Sequence, residues 1–455
     1  MSTRRQVVIV IHGIGEQRPM DTLRNFVAGV LGPEAGAGGN PPFYNKPDPN
    51  AEGFELRRIR VFDRSHDTDF VEFYWQHLMP VAPSRFLFSW LWTLMQRPAR
   101  DMPPRFRFLW WLCWLASLFG IAVVMIAFAN FLGRRPMWTS GVPELSAVLL
   151  ALAGSVRGFV LAYVGDAAIY LNPHPRTVEA RNAIRSAGVA LLERLHADDR
   201  YTRIIVAGHS LGSVIAYDML RFAWNRTADK WRKRIEAGEL DPPRPSQPAL
   251  DAAEALAEKG PADIAAGWRA AVLANYAEHR KLGLDWMVSD LVTLGSPLAH
   301  GDLLLAGSRD DLARRQRERE LPTSPPHGDN GTTFSFPQPE PGKRTRKPPP
   351  ARALDHAALF AVTTWTNLYF PCRHLFYGDP VGGTIANLFG AGVRDRAVRT
   401  SRWGGWLSHT FYWTRDRLWN AQDGAVQVLI EALDLNRAPV RGPAARPAAT
   451  EKSGR

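Results

Sequence analysis

The chain reads as an α/β protein, with a mostly parallel central sheet flanked by helices. Two observations lead there. Near-continuous apolar runs occur at Gln6 to Ile11, Arg203 to Ala207 and Asp290 to Leu294, the pattern of strands buried on both faces. Segments with helical periodicity separate them, at Asp21 to Leu31, Arg176 to His196 and Leu211 to Phe222. Strands alternating with helices are what a parallel sheet requires.

The remaining elements follow in order. Residues 32 to 53 are rich in Gly, Pro and Asn and read as loop. Leu56 to Phe62 and Asp69 to Trp75 read as strands. Residues 224–282 are charged and Ala-rich, a helical insertion. Residues 308–352 carry Pro-rich and Arg-rich patches and read as a polar loop. Val362 to Phe370 returns to strand character, Ala421 to Leu435 reads as a last helix, and residues 437–455 as a disordered tail.

Residues 81–170 are of another kind. Phe108 to Leu132 contains no charged residue, and about 20 apolar residues suffice for a helix to cross a bilayer. Leu145 to Val164 is a second apolar stretch, interrupted by Arg157. Trp110, Trp111 and Trp138 lie near the ends of the first run, where interfacial aromatics are expected. We expect an inserted hydrophobic helical hairpin, membrane-associated. It divides the α/β domain into residues 1–80 and 171–436.

Composition agrees with a globular chain near a membrane. Of 455 residues, 45% are hydrophobic and 22% charged, enough for a sizeable core. Lys and Arg number 56 against 44 Asp and Glu, a net charge of +12 that suits an anionic partner. No zinc-finger spacing, RNP-type stretch or basic zipper is present, which disfavours nucleic acid and favours an anionic lipid surface. Cys113 and Cys372 are the only cysteines. They exclude a disulfide framework and point to a reducing compartment. Val7 to Ile11 is too short for a signal-peptide core, and no cleavage site follows it.

Gly208-His209-Ser210-Leu211-Gly212 matches G-x-S-x-G. In that motif a serine sits on a strained strand-to-helix turn, and glycines two places either side let the backbone approach closely. Ile204 to Ala207 supplies the strand and Val214 to Leu220 the helix. Ser210 is therefore the candidate nucleophile, facing the free N–H groups of a helix N-terminus.

Ile204 to Leu220 resembles the nucleophile region of lipase-type α/β hydrolases. Leu291-Val292-Thr293-Leu294-Gly295-Ser296-Pro297-Leu298 resembles the strand and Gly-Ser-Pro turn found downstream in that group. His12-Gly13-Ile14-Gly15 resembles its oxyanion loop. The general likeness is to bacterial lipase-like hydrolases and to deacylases acting on lipid anchors. It implies an α/β-hydrolase fold and a serine esterase needing no cofactor.

In that fold the chain order is Ser, then Asp or Glu, then His. Asp379, on the turn Gly378-Asp379-Pro380-Val381-Gly382-Gly383 after a late strand, is the expected acid. His409, the last histidine, is the expected base. Similar hydrolases carry a segment comparable to His409-Thr410-Phe411-Tyr412-Trp413. His374 is the runner-up base, and Asp290 and Asp302 are runner-up acids. The oxyanion donors would be the N–H of Leu211 and that of Gly13 or Ile14. His12, Gly208, His209 and Gly212 would support the site, His12 by orienting its loop. Ser65-His66-Asp67 reads as a turn, since adjacent residues cannot reach triad geometry. Glu72 is read equally as a buried, paired carboxylate beside the site or as an exposed strand residue. No metal-ligand spacing or phosphate loop is found.

Gly13 precedes the apolar insert and Ser210 follows it. The insert must then cross a membrane an even number of times or dip in and return. Arg97, Arg100, Arg105 and Arg107 before it put the catalytic domain on the cytoplasmic face. Arg134 and Arg135 in the short connection argue the other way, and Arg157 is costly at mid-bilayer; a re-entrant or interfacial hairpin would accommodate them. The resulting expectation is a membrane-associated serine esterase or lipase acting on lipid or other acyl esters. An acyltransferase or thioesterase on the same three residues is the first alternative. A catalytically inactive scaffold serving as a membrane interaction module is the second.

Overall fold

The structure is a computed structural model. It describes residues 5–15, 18–32, 43–50, 55–62, 67–79, 175–240, 245–328, 333–336, 351–372, 378–402 and 405–438, with Val440 and scattered positions from 92 to 171. Most of the expected hairpin, 81–170, lies outside the described residues. So does most of the expected tail, 437–455.

The core is an eight-stranded sheet in the order β10-β9-β6-β5-β1-β4-β3-β2. Its strands are β1 (Arg5–Ile11), β2 (Phe43–Pro47), β3 (Arg57–Val61), β4 (Asp67–Phe73), β5 (Tyr201–His209), β6 (Val288–Leu294), β9 (Thr364–Tyr369) and β10 (Arg394–Ala397). The pairings from β4 through β1, β5, β6 and β9 to β10 are parallel, and β3 and β2 extend the sheet antiparallel. A small ribbon pairs β7 (Ser335–Phe336) with β8 (Ala353–Leu354). The protein is thus α/β with a mostly parallel sheet.

Helices cover both faces, which is why the central strands lack polar alternation. Val7, Ile9 and Ile11 face one layer with Ile204 and Val206, beneath α2 (Val178–Ala197) and α3 (Leu211–Glu236). Val8 and Val10 face the other with Ile205 and Val292, beneath α1 (Asp21–Leu31) and a C-terminal helix, Ala425–Leu433. In α1 the buried residues Leu23, Phe26, Val27 and Val30 keep helical spacing, and the helix stops at Gly32 with φ 90°. Each such side chain contributes roughly 1.5–3 kcal/mol when fully buried.

The charged 224–282 segment is helical, as expected. It holds the end of α3, then α4 (Pro248–Ala257) and α5 (Pro261–Leu282), both with proline in the first turn. Residues 32–53 and 308–352, expected as loops, contain β2, the helix Arg309–Arg317 and β7. That helix is built from its ends. Ser308 caps it by accepting from Asp311 N, Asp310 and Asp311 open it, and Arg314, Arg315 and Arg317 close it. It buries only Leu312 and Gln316, so it leaves no apolar periodicity to read.

In the apolar segment, helical backbone is described at Trp111, Leu115, Leu118, Ile121 and Met125. All five side chains are more than half exposed. Among the described residues no helix is long and apolar enough to cross a membrane.

The amino end of the sheet is fastened by ions. Asp290, 1% exposed, accepts from Arg203 Nη2 at 2.7 Å, Arg437 Nη2 at 2.6 Å and Thr364 Oγ1 at 2.7 Å. Arg203 also donates to Leu433 O and Asp434 O, which ties the C-terminal helix to the sheet. Arg437 therefore belongs to the folded body rather than to a tail. Removing one partner of such a buried network leaves the others uncompensated. Asp290→Ala is expected to destabilise the protein by about 3–5 kcal/mol in denaturant titration. A change under 1 kcal/mol would mean the network is dispensable.

Candidate active site

The carboxyl ends of β1, β5 and β6 meet the turn after β9. Ser210 stands between β5 and α3 with φ 52° and ψ −129°, a backbone conformation that serine rarely adopts. Holding it costs of order 1–3 kcal/mol, which the surrounding packing must overcome. The motif's glycines make the turn possible. A Cβ added at Gly208 would stand 2.6 Å from Gly212 O, and one at Gly212 would stand 2.4 Å from His12 O and Ile11 O. Ser210 N donates to Leu294 O at 2.9 Å, which ties the turn to β6.

The His12-Gly13 loop lies directly against the serine. A Cβ at Gly13 would be 2.8 Å from Ser210 Cβ. Leu211 opens α3 directly after Ser210, at a helix start where backbone N–H groups have no partner within the helix. His12 is fully buried. Its Nδ1 is 2.9 Å from Gly13 O, and its ring stacks on Trp75 at 4.9 Å. Trp75 Nε1 donates to His12 O at 3.0 Å. Burial lowers the His12 imidazole to about 4, so it is neutral and shapes the loop as a packed ring.

The acid and the base come from far along the chain. His409 Nδ1 donates to Asp379 Oδ2 at 2.9 Å. Tyr412 OH donates to the same oxygen at 2.7 Å, and Val381 N to Oδ1 at 2.8 Å. Burial pushes the Asp379 carboxyl up. Attraction to His409 and hydrogen bonds from His409, Tyr412 and Gly382 outweigh it and hold the group at about 2. The carboxylate is thus ionised and can only accept, so Nδ1 carries the proton. With Nδ1 so engaged, Nε2 is the ring nitrogen left to exchange a proton. Gly295 (φ 56°) lets this pair close. A Cβ there would stand 2.7 Å from Tyr412 Cε2, 2.8 Å from Asp379 Oδ2 and 2.9 Å from His409 Nδ1.

His209 joins the two halves. Its Nε2 donates to His409 O at 2.7 Å, and its ring lies 4.8 Å from that of His409 and 5.0 Å from that of Trp413. Burial, then the neighbouring His409, lowers it to about 3, so it is a neutral donor. Ser210 Oγ and His409 are not hydrogen-bonded to each other in this structure. Such bonds are often long without substrate and tighten when it binds. A strained serine, an imidazole close by in the same loop cluster and a buried carboxylate bonded to that imidazole are thus gathered at one end of the sheet.

Other expectations sort by location. Asp290 lies about 13 Å along β6 from Leu294, at the far end of the strand from Ser210, and is held by arginines rather than a histidine. Asp302 makes no hydrogen bond or ion pair with a described histidine. His374, Ser65 and His66 lie outside the described residues, while Asp67 pairs with Arg5 in β4. Tyr412 was not singled out as a site residue, although it stands in the quoted segment around His409. Gly382 was likewise missed. It packs against Asp379 Oδ2, where a Cβ would stand 2.7 Å away.

Glu72 is buried rather than exposed, but among the described residues it has no ion pair and no hydrogen bond to the residues around Ser210. It is 5% exposed, and its Oε2 accepts from Met20 N at 2.6 Å. Burial pushes its carboxyl up to about 7, against an ordinary value of 4.5. Protonation is therefore favoured in the folded state. The stability present below pH 4.5 is lost as pH rises through 7. Glu72→Gln keeps an acceptor for Met20 N and removes the charge. It is expected to stabilise the protein by about 3 kcal/mol at pH 8 and by almost nothing at pH 4, read by denaturant titration at each pH.

Comparison of the chain with protein-family models, with curated proteins and with solved structures finds no match.

Proposed function

We propose that this chain is a serine hydrolase of the α/β-hydrolase type. It cleaves carboxylic esters, lipid esters foremost, at the cytoplasmic face of a membrane. The observation that carries the reading is the contact chain from Ser210 through His209 to the His409–Asp379 pair, with Gly13 against Ser210 and Gly295 against the pair. The order along the chain, Ser210, Asp379, His409, is that of the α/β hydrolases.

In the reaction His409 Nε2 takes the proton from Ser210 Oγ as the oxygen attacks the ester carbonyl carbon. Negative charge develops on the carbonyl oxygen, beside the N–H groups of Leu211 and of Gly13 or Ile14. Each such donor is worth roughly 10²–10³ in rate. The imidazolium, stabilised by Asp379, then protonates the leaving alcohol. Water repeats the sequence on the acyl-serine, giving the free acid and restoring Ser210. The apolar side chains exposed at Trp111, Leu115, Leu118, Ile121 and Met125 recur at one-face helical spacing, which favours a lipid surface nearby.

Hydrolysis of p-nitrophenyl esters of increasing chain length tests this. Ser210→Ala is expected to reduce turnover to background, and Asp379→Asn to lower it by roughly 10⁴-fold with the fold intact. Turnover should rise with chain length and with added vesicles. A folded Ser210→Ala protein as active as the parent would refute the nucleophile. Indifference to chain length and to vesicles would refute the lipid preference.

A further inference from the structure

A cavity of about 460 Å³ opens between α2, α3 and the end of the helix Arg309–Arg317 with the residues after it. Its wall carries Arg181, Arg185, Arg221, Arg315 and Arg319. We propose that this cavity binds a phosphate-bearing anion: the phosphomonoester headgroup of an anionic lipid, or phosphate free in solution.

The cations are not fully compensated. Asp218 is shared by Arg185 (2.6 Å) and Arg221 (2.8 Å), and it also accepts from Tyr170 OH. Arg315 pairs with Glu320, and Arg319 with Asp355. Glu318, also on the wall, is turned to Arg314 outside it. Arg181 has no hydrogen bond or ion pair among the described residues, and its Nε is buried. It stands one helical turn from Arg185, where two like charges repel. Burial first, and Arg185 second, lower the Arg181 guanidinium below its ordinary value, as befits a cation lacking its counter-ion.

The forks are also held in place. Arg185 and Arg221 both lie over the Phe222 ring, their guanidinium carbons 5.3 and 4.4 Å from its centroid. Planar donors fixed this way suit the oxygens of a phosphate and lose little freedom on binding. A carboxylate would engage one fork, whereas a phosphate dianion can engage two. The position fits as well. Arg181 lies in the first turn of α2, shortly after the chain leaves the apolar 81–170 segment, and Val178 beside it is exposed. A lipid phosphate at the rim of a membrane would meet this wall.

The inference goes beyond the hydrolase reading and does not need catalysis. Binding is therefore measured on Ser210→Ala protein, so that failure of one is distinguishable from failure of the other. Full-length protein is titrated with phosphatidylcholine vesicles, with the same vesicles containing phosphatidic acid, and separately with inorganic phosphate. Arg181→Gln removes the unpaired cation without breaking an ion pair. Lys259→Gln removes the same charge from an exposed site elsewhere.

Phosphatidic acid should strengthen vesicle binding, and Arg181→Gln should weaken that gain about fivefold, beyond any effect of Lys259→Gln. That result identifies a lipid headgroup as the source. Phosphate-dependent thermal stabilisation lost in Arg181→Gln, with no vesicle discrimination, identifies free phosphate. Equal behaviour of the Arg181→Gln and Lys259→Gln proteins, or no response to either phosphate source, overturns the proposal.

Discussion

Asp379 has no solvent exposure, and a carboxylate in that position must have every lone pair answered. The arrangement around it follows from this need. His409, Tyr412, Val381 and Gly382 all turn donors toward it. Those residues come from the turn after β9 and from the His409–Tyr412 stretch before the C-terminal helix, so one buried charge fixes the mutual position of two distant loops. The same contacts settle the proton on His409 Nδ1 and leave Nε2 as an acceptor. Loss of the carboxylate would free the imidazole to adopt the other tautomer, in which it could not accept a proton from a serine.

Closeness is supplied by absent side chains. Gly13, Gly212, Gly295 and Gly382 each sit where a Cβ would collide with the site or its supporting backbone. The sheet delivers these glycines together because β1, β5, β6 and β9 are parallel neighbours whose carboxyl ends lie at the same end of the sheet. At the opposite end the Asp290–Arg203–Arg437 network binds the strands and the last helix. Stability and candidate chemistry are thereby segregated along the strands. Asp290, within a strand, serves the first, and Asp379, on a turn beyond a strand, serves the second.

Much of this was legible from the residues alone. β1, β5 and β6 are near-continuous apolar runs, and burial on both faces leaves that signature. The elbow at Ser210 was readable because strain at one residue demands glycines at fixed offsets. Asp379 and His409 were reached through chain order, and their hydrogen bond spans 30 residues that no local pattern encodes. The helix Arg309–Arg317 was illegible because caps and charges build it. β10, Arg394–Ala397, was missed because its residues are polar and only partly buried at the sheet edge. Glu72 shows the limit of local reading. The sequence placed it on a strand, but only its three-dimensional surroundings bury its charge.

The central claim is that Ser210 is made nucleophilic by His409. Reaction of the folded protein with a fluorophosphonate, followed by peptide mass spectrometry, addresses it most directly. The account predicts a single adduct, on the peptide carrying Ser210. It also predicts that His409→Ala slows adduct formation by roughly 10²–10⁴-fold. Absence of an adduct on folded protein, an adduct at another residue, or an unchanged rate in His409→Ala would contradict it.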